Sequence, residues 1–227
     1  MTRSSASPPR LILASRSPRR RFLLRLLDVP FSVIPPGVPE DPLPRETPRQ
    51  RSRRLALSKA SAVARRRPRA YVLGSDTIVC QGNKQLGIPK NRPEAEAMLR
   101  LLAGSRHTVW TGVALARPHY RTRTVVVCTR VHVARLSRAE LTAFLDSGEW
   151  RGKAGGYGIQ GRFAAYIVHL EGTYTNVMGL PLDPVRRLLR AAGFAVPAHA
   201  RQAVGDRQRK RGRRAAATSS RRRTGVR

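Results

Sequence analysis

Acidic residues, cysteine and aromatic side chains are scarce in this chain of 227 residues, and these shortages exclude several classes of protein. The two cysteines, Cys80 and Cys128, each lie in an apolar run. Two cysteines do not make a disulfide framework, so we expect reduced thiols rather than a disulfide-stabilised secreted domain. No apolar run reaches about 18 residues, which excludes a membrane-spanning helix. Residues 11–15 are too few for the apolar stretch of a signal peptide, so we expect a cytoplasmic protein without a membrane partner.

The shortage of acidic residues leaves a formal net charge of +32, from 45 Lys and Arg against 13 Asp and Glu. Residues 201–227 contain eleven basic residues and one acidic residue, so most of the excess lies in the rest of the chain. A field of this sign attracts anions such as nucleotides, nucleic acid or a membrane surface, without choosing among them. Because arginine dominates over lysine and alanine and proline are abundant, part of the charge reflects biased composition rather than function.

Composition divides the chain into three segments. We expect residues 1–9 to be a disordered lead-in, residues 10–197 to be one folded domain, and residues 198–227 to be a basic tail without apolar periodicity. A tail of this composition is expected to be disordered. It is either a solvated extension or a segment that binds nucleic acid non-specifically.

Strands and helices alternate within the predicted domain. Short apolar runs predict strands, and apolar residues spaced by three or four predict helices. The predicted strands cover residues 11–14, 31–34, 70–80, 108–116, 122–133 and 163–170, with a hairpin turn at residues 82–83. The predicted helices begin at the capping positions Ser17, Thr47, Asn91, Ser137 and Asp183. Alternating elements with two long adjacent strands predict an α/β fold with a mixed sheet.

A basic turn follows the first predicted strand. Ser15, Arg19 and Arg20 lie where this strand meets the N-terminus of a helix. Such a terminus presents unpaired N–H groups and a partial positive charge, so two arginines there are unfavourable unless an anion is bound. Arginine also matches phosphate geometry through two parallel hydrogen bonds. The turn is therefore either a phosphate-binding site or a basic surface turn of an arginine-rich protein.

A carboxylate interrupts the apolar strand predicted at residues 70–80. Asp76 is followed by Thr77, whose hydroxyl can bond the edge of a substrate, and Glu40 lies in the loop after the second strand. A buried carboxylate is unfavourable unless it is paired or binds a metal, so Asp76 is a candidate metal ligand or general base. The alternative is that Asp76 lies at the end of the strand and caps a loop. Two carboxylates would suit Mg²⁺ or Mn²⁺, which bridge carboxylate and phosphate oxygens.

Two lysines and a glycine-rich segment complete the candidates. Lys90 follows a rigid proline, and Lys59 lies in the middle of the second helix; each either neutralises phosphate or is simply solvated. Residues 153–161 contain four glycines, which permit close approach of a ligand. Gln160 carries both a donor and an acceptor, so it can recognise the edge of a base.

Taken together, these motifs resemble the Maf family of nucleotide pyrophosphatases over residues 11–193. Three blocks in the family's order carry the similarity: LILASRSPRRRFLL, the segment from LGSDTIVC to TGVAL, and the segment from SGEWRGKAGGYGIQG to GLPL. The resemblance implies a homodimeric α/β fold, with an elongated mixed sheet flanked by helices and a central cleft between two lobes. It also implies hydrolysis of a nucleoside triphosphate between the α and β phosphates, with a divalent cation such as Mg²⁺ or Mn²⁺.

The resemblance further implies roles for individual residues. It makes Asp76 the proton acceptor and gives Lys59 and Lys90 catalytic roles. The candidate metal ligands, from the carboxylate chemistry above, are Asp76 and Glu40. The positions that match substrate-binding positions of the family are Ser15, Arg19, Arg20, Thr77 and Gln160. The form KAG-x-YGIQG, with threonine after the aspartate, is similar to the branch that prefers dTTP and UTP.

Some residues depart from the family pattern. Ser75 and Gly156 stand where alanine is usual, residues 150–152 replace Pro-x-Asp, and the loop at residues 37–45 matches poorly, which weakens the assignment of Glu40. Two other functions stay open. One is a pyrophosphatase for modified or purine nucleotides on the same scaffold, and the other is a nucleic-acid-binding or division-regulating protein that uses the basic tail. Whether Asp76 is a base or a ligand is open as well.

Overall fold

A seven-stranded mixed sheet organises residues 10–197, the part of the chain that this computed structural model describes. The strands are β1 (Leu11–Ala14), β2 (Phe31–Val33), β3 (Tyr71–Gln81), β4 (Lys84–Leu86), β5 (Arg106–Arg117), β6 (Tyr120–Val133) and β7 (Ile167–Glu171). The helices are α1 (Pro18–Arg25), α2 (Pro48–Arg66), α3 (Arg92–Leu102), α4 (Arg138–Asp146), α5 (Tyr174–Val177) and α6 (Leu182–Ala191). Among the helices of this described part, none is long and apolar enough to span a membrane. The predicted lead-in, residues 1–9, and the predicted tail, residues 198–227, lie outside the described residues.

The strand order is β2-β1-β3-β5-β6-β7, and β4 pairs with β3 beside this path. β1 runs parallel to β2 and to β3, whereas β3, β5, β6 and β7 pair in antiparallel fashion. The predicted mixed sheet flanked by helices is therefore confirmed. The hairpin predicted at residues 82–83 is confirmed too, since Val79 pairs with Leu86 across it.

Local sequence signals place the starts of the helices. Thr47, the capping position predicted for α2, forms a reciprocal capping box with Gln50, and proline occupies the first helical position. At α3, the predicted capping position Asn91 forms only half of such a box with Glu94. The Asn91 side chain accepts from the Glu94 N–H, but the Glu94 carboxylate accepts from the Lys90 N–H instead of returning to Asn91.

Helix α2 lies directly against the middle of the sheet. A Cβ atom at Gly74 would overlap the carbonyl oxygen of Ala56, and one at Gly112 would overlap the carbonyl oxygen of Ser52. Only glycine permits so close an approach of helix and sheet backbones. The approach places the side chains of α2 against the middle of β3, where the polar residues of that strand lie.

The strand predicted at residues 163–170 is wrong in its first half. Arg162–Tyr166 forms a 3₁₀ helix, and β7 begins only at Ile167. Phe163 is fully buried, and its ring centroid lies 5.1 Å from that of Phe144 and 4.7 Å from that of Tyr157. An apolar run indicates burial, and a buried helical turn has the same short signature as a buried strand.

Candidate active site

One large cavity gathers most of the candidate residues. It has a volume of about 1000 Å³ and is lined from the β1–α1 turn, the loop after β2, α2, β3 and β4, residues 151–160 and residues 177–179. Every predicted site residue except Lys90 lines it. The expected cleft therefore has a counterpart in the structure, and segments far apart in sequence meet there.

Lys90 is the exception among the predicted residues. Its side chain is exposed and does not line the cavity. Its backbone N–H donates to Glu94 Oε2 at 2.8 Å, which holds the residue just ahead of α3. The catalytic role of Lys90 stays a prediction.

Asp76 and Lys59 form a buried ion pair at the floor of the cavity. Asp76 lies in the interior of β3, 4% exposed, and not at a strand end. Lys59, 5% exposed, reaches across from α2, and its Nζ donates to Asp76 Oδ1 at 2.6 Å. The same Nζ lies 2.8 Å from Oε1 of Glu40, whose side chain is 55% exposed. Lys59 is thus a buried cation between two carboxylates and not a solvated side chain.

The electrostatic environment of Asp76 is a balance between burial and charge. Burial raises the pKa of the Asp76 carboxyl above its usual value, and Lys59 and Arg20 oppose this shift. A carboxyl with a raised pKa is a stronger proton acceptor when it is ionised. The two cations favour the ionised form that this role requires.

Two arginines hold the loop that carries Glu40. Arg51 Nη2 donates to the Glu40 carbonyl oxygen at 2.8 Å. Arg54 donates to both carboxylate oxygens of Glu46, at 2.6 and 2.7 Å, and to the Asp41 carbonyl oxygen at 2.9 Å. Sequence reasoning missed both arginines, because the abundance of arginine hides any single one. Their spacing of three residues on α2 was the available signal, since it places them on one helix face.

The basic turn between β1 and α1 is tightly folded. Ser15 is buried, and its Oγ accepts from the Ser17 N–H at 3.1 Å. Arg19 is half-buried and lines the cavity, and burial lowers the pKa of its guanidinium, which nevertheless stays charged. The helix terminus and Arg19 together present positive charge to the cavity, as a phosphate site requires.

Arg20 and Thr77 are joined directly. Arg20 Nη2 donates to Thr77 Oγ1 at 3.1 Å, and its Nε donates to the Gly179 carbonyl oxygen at 2.9 Å. Gly179 has a φ of +103°, and a Cβ there would lie 3.1 Å from Thr77 Oγ1. Residues 177–179 form a third wall of this corner that the sequence did not indicate. This corner presents the N–H donors of Arg20 beside the Thr77 hydroxyl oxygen, which accepts.

The glycine-rich segment is anchored from inside the protein. The Tyr157 hydroxyl lies 2.7 Å from His107 Nε2 on β5, and both residues are buried. Burial lowers the pKa of His107 to about 4, so its ring is neutral near pH 7. Gln160, in the same segment, is exposed and lines the cavity. The anchor therefore places a polar amide at the mouth of the cavity.

The chain is similar to known proteins over most of the described residues. Residues 10–192 match the family described as Maf-like protein. The chain belongs to the Maf-like family. Its curated relatives include the dTTP/UTP pyrophosphatase of Caulobacter vibrioides, 47% identical over 83% of this chain and 98% of the relative. Those of Chelativorans sp. and Agrobacterium fabrum are 45% and 44% identical, over 83% and 84% of this chain and 94% and 95% of theirs.

Among solved structures, the likeness is weaker. The HAM1 protein of Coxiella burnetii aligns with a TM-score of 0.45 and 14% identity, covering 81% of this chain and 99% of that chain.

Ser75, where the resemblance led us to expect alanine, makes polar contacts beneath the cavity corner of Arg20 and Thr77. Its side chain is fully buried, and its Oγ lies 3.0 Å from the carbonyl oxygens of Gly112 and Gly179. The hydroxyl has one hydrogen, so it donates either to the Gly112 carbonyl oxygen on β5 or to the Gly179 carbonyl oxygen, which also accepts from Arg20 Nε. Alanine could form neither of these hydrogen bonds.

Proposed function

We propose that this Maf-like protein is a nucleoside triphosphate pyrophosphatase that hydrolyses dTTP and UTP to the monophosphate and pyrophosphate. The observation that carries the proposal is the buried pair of Asp76 and Lys59, which opens on the same cavity as the basic turn. The curated relatives support it, because those quoted share 44–47% identity with this chain and are named for that activity.

The basic turn and Lys59 would bind the triphosphate. Arg19 and the N–H groups at the start of α1 face the cavity, where they would hold phosphate oxygens. Positive groups already in place stabilise negative charge as it develops on the leaving pyrophosphate, without reorganisation of water. Lys59 is fixed by two carboxylates and is therefore positioned before substrate arrives.

A divalent cation fits the donor chemistry of the cavity. Asp76 and Glu40 provide two hard oxygen ligands, and both carboxylates already gather around one positive charge, Lys59 Nζ. Within residues 10–197 no cluster of three or more His, Cys, Asp or Glu side chains could hold a metal. Two carboxylates are the usual protein share of a Mg²⁺ site, which is completed by water and phosphate oxygens. When bound, Mg²⁺ or Mn²⁺ would neutralise charge on the phosphates.

Asp76 has two alternative roles. It either holds the cation with Glu40, as above, or acts as the proton acceptor for the attacking water, as follows. The water oxygen forms a bond to phosphorus while the bond from that phosphorus to the α–β bridging oxygen breaks. The water proton passes to the carboxylate of Asp76, and the electron pair of the broken bond remains on the bridging oxygen. The raised pKa of Asp76 favours this proton transfer.

The test is pyrophosphate release from dTTP, UTP, CTP, GTP and 7-methyl-GTP, with Mg²⁺ or Mn²⁺ and with chelator. We expect metal-dependent release led by dTTP and UTP. Asp76→Asn should lower turnover by about 10²–10³-fold, as removal of a central polar group of an active site does. Asp28→Asn, outside the cavity, is the control. Turnover of Asp76→Asn within about tenfold of wild type would remove Asp76 from the mechanism.

Two further properties are proposed, namely a homodimer, which the family resemblance implies, and a cytoplasmic location, which the two expected reduced cysteines favour. Light scattering coupled to size-exclusion chromatography measures the oligomeric state. Fractionation of the source cells measures the cellular location. A monomer at all concentrations, or recovery in a membrane fraction, would contradict these proposals.

A further inference from the structure

Two threonines face each other across the sheet beside the cavity. Thr77 on β3 pairs directly with Thr111 on β5, and their Oγ1 atoms are 3.0 Å apart. Thr77 lines the cavity, whereas Thr111 is fully buried behind it. Thr111 Oγ1 also lies 3.0 Å from the backbone carbonyl oxygen of Asn176, to which it donates.

The hydrogens of these hydroxyls can be assigned by counting. A threonine hydroxyl has one hydrogen, and a carbonyl oxygen can only accept. Thr111 donates its hydrogen to Asn176, so it must accept from Thr77. The Thr77 hydrogen therefore points into the protein. Arg20 Nη2 occupies one lone pair of Thr77 Oγ1, which leaves one acceptor lone pair for the cavity.

The carbonyl group that sets this direction is firmly held. Asn176 is fully buried, and its Nδ2 donates to the Val109 carbonyl oxygen and to Thr129 Oγ1, both at 3.0 Å. The backbone carbonyl oxygen of Asn176 also accepts from the Gly179 N–H at 2.9 Å. The Asn176 carbonyl thus keeps a partner when Thr111 loses its hydroxyl.

We propose that Thr111 is a positioning residue that fixes Thr77 as a hydrogen-bond acceptor, and that this polarity selects the N3–H of uracil and thymine against cytosine. The inference rests on the proposed pyrophosphatase function and deepens it. Arg20 has five N–H donors, of which the described hydrogen bonds use two, so donors remain beside the Thr77 acceptor. A ring carbonyl and the adjacent N3–H of uracil complement this pair. Cytosine has a lone pair at N3 and must shift its ring by one position to match.

The experiment compares kcat/KM for UTP and CTP in wild type, Thr111→Val and Thr111→Ser. Valine keeps the shape of the side chain but removes the acceptor, so the Thr77 hydroxyl can rotate and donate to N3 of cytosine. We expect the UTP-to-CTP ratio of Thr111→Val to fall by about 10-fold or more, the scale of one mismatched buried polar group. Thr111→Ser retains the hydroxyl and should retain the ratio.

Several results would overturn the inference. A UTP-to-CTP ratio in folded Thr111→Val within about twofold of wild type removes the role of the hydroxyl. An equal fall in Thr111→Ser assigns the effect to packing. Equal use of UTP and CTP by wild type defeats the inference while leaving the proposed chemistry intact, and no pyrophosphate release from UTP defeats the proposed function itself.

A substrate-side measurement keeps the inference testable if Thr111→Val does not fold. N3-methyl-UTP lacks the N3–H, so wild type should use it at least about 10-fold less well than UTP. Equal kcat/KM for the two nucleotides would contradict the inference.

Discussion

The two carboxylates at Lys59 are supported in different ways. Asp76 lies in a central strand, and α2 packs on that strand so closely that only glycine fits at two contact points. Glu40 lies in an exposed loop, and side chains from α2 hold that loop through hydrogen bonds and one ion pair. Backbone packing is hard to perturb without loss of the fold. A loop held by charged side chains can instead be released by changing one charge.

The largest effect is expected where the two regions meet. Lys59→Met removes the cation between Asp76 and Glu40 and leaves a buried carboxylate with less compensation. Loss of one partner from a buried ion pair typically costs about 3–5 kcal/mol of unfolding free energy. Urea unfolding at pH 7 measures this loss of unfolding free energy. Lys84→Met, which changes an exposed lysine, is the control. A loss no larger than that of Lys84→Met would show that the pair is not a structural necessity.

The packed region can be tested by itself at Gly112. In Gly112→Ala the added Cβ would overlap the Ser52 carbonyl oxygen, so α2 must move away from the sheet. We expect the unfolding free energy to fall by about 1–3 kcal/mol, the usual scale of overpacking. We also expect slower turnover, because Lys59 moves with the helix. Gly87→Ala is the matched control for stability, since a Cβ there meets nothing within 4 Å. Equal melting temperatures for the two variants would contradict direct backbone contact.

The smallest loss of unfolding free energy is expected for a change in the loop that carries Glu40. This loss should also depend on pH. Hydrogen bonds from Arg54 hold the pKa of Glu46 below its usual value of 4.5. A lowered pKa in the folded state stabilises the protein above the unfolded value, and this contribution is lost as pH falls through the folded pKa. Glu46→Gln should therefore cost up to about 1 kcal/mol at pH 7 and almost nothing at strongly acidic pH.

Urea unfolding of wild type and Glu46→Gln across this pH range measures the difference. Glu96→Gln, which removes an exposed ion pair within α3, serves as the control. A difference between wild type and Glu46→Gln that stays constant from neutral to acidic pH would show that the ion pair does not hold the loop.

Much of the site could be predicted because its residues occupy distinctive local settings. Asp76 stood out as a carboxylate inside an apolar strand, and Arg20 as a cation at a helix N-terminus. Lys59 gave no such sign, since a lysine in a helix is usually solvated, and its burial depends on glycines in two distant strands. Arg51 was missed because the abundance of arginine hides any single one, and Thr111 because its partner Thr77 lies 34 residues away.

The family, the starts of most helices and most of the strands could be predicted from local sequence patterns, because caps and apolar periods act over a few residues. The sequence also placed the acidic, basic and glycine-rich motifs in order along the chain. Only the tertiary structure decided that Lys59 lies between Asp76 and Glu40, that Lys90 stays outside the cavity, and that Thr111 orients Thr77. The physical reason is that strand order and helix packing bring distant residues within a hydrogen bond of one another. No local pattern records that distance.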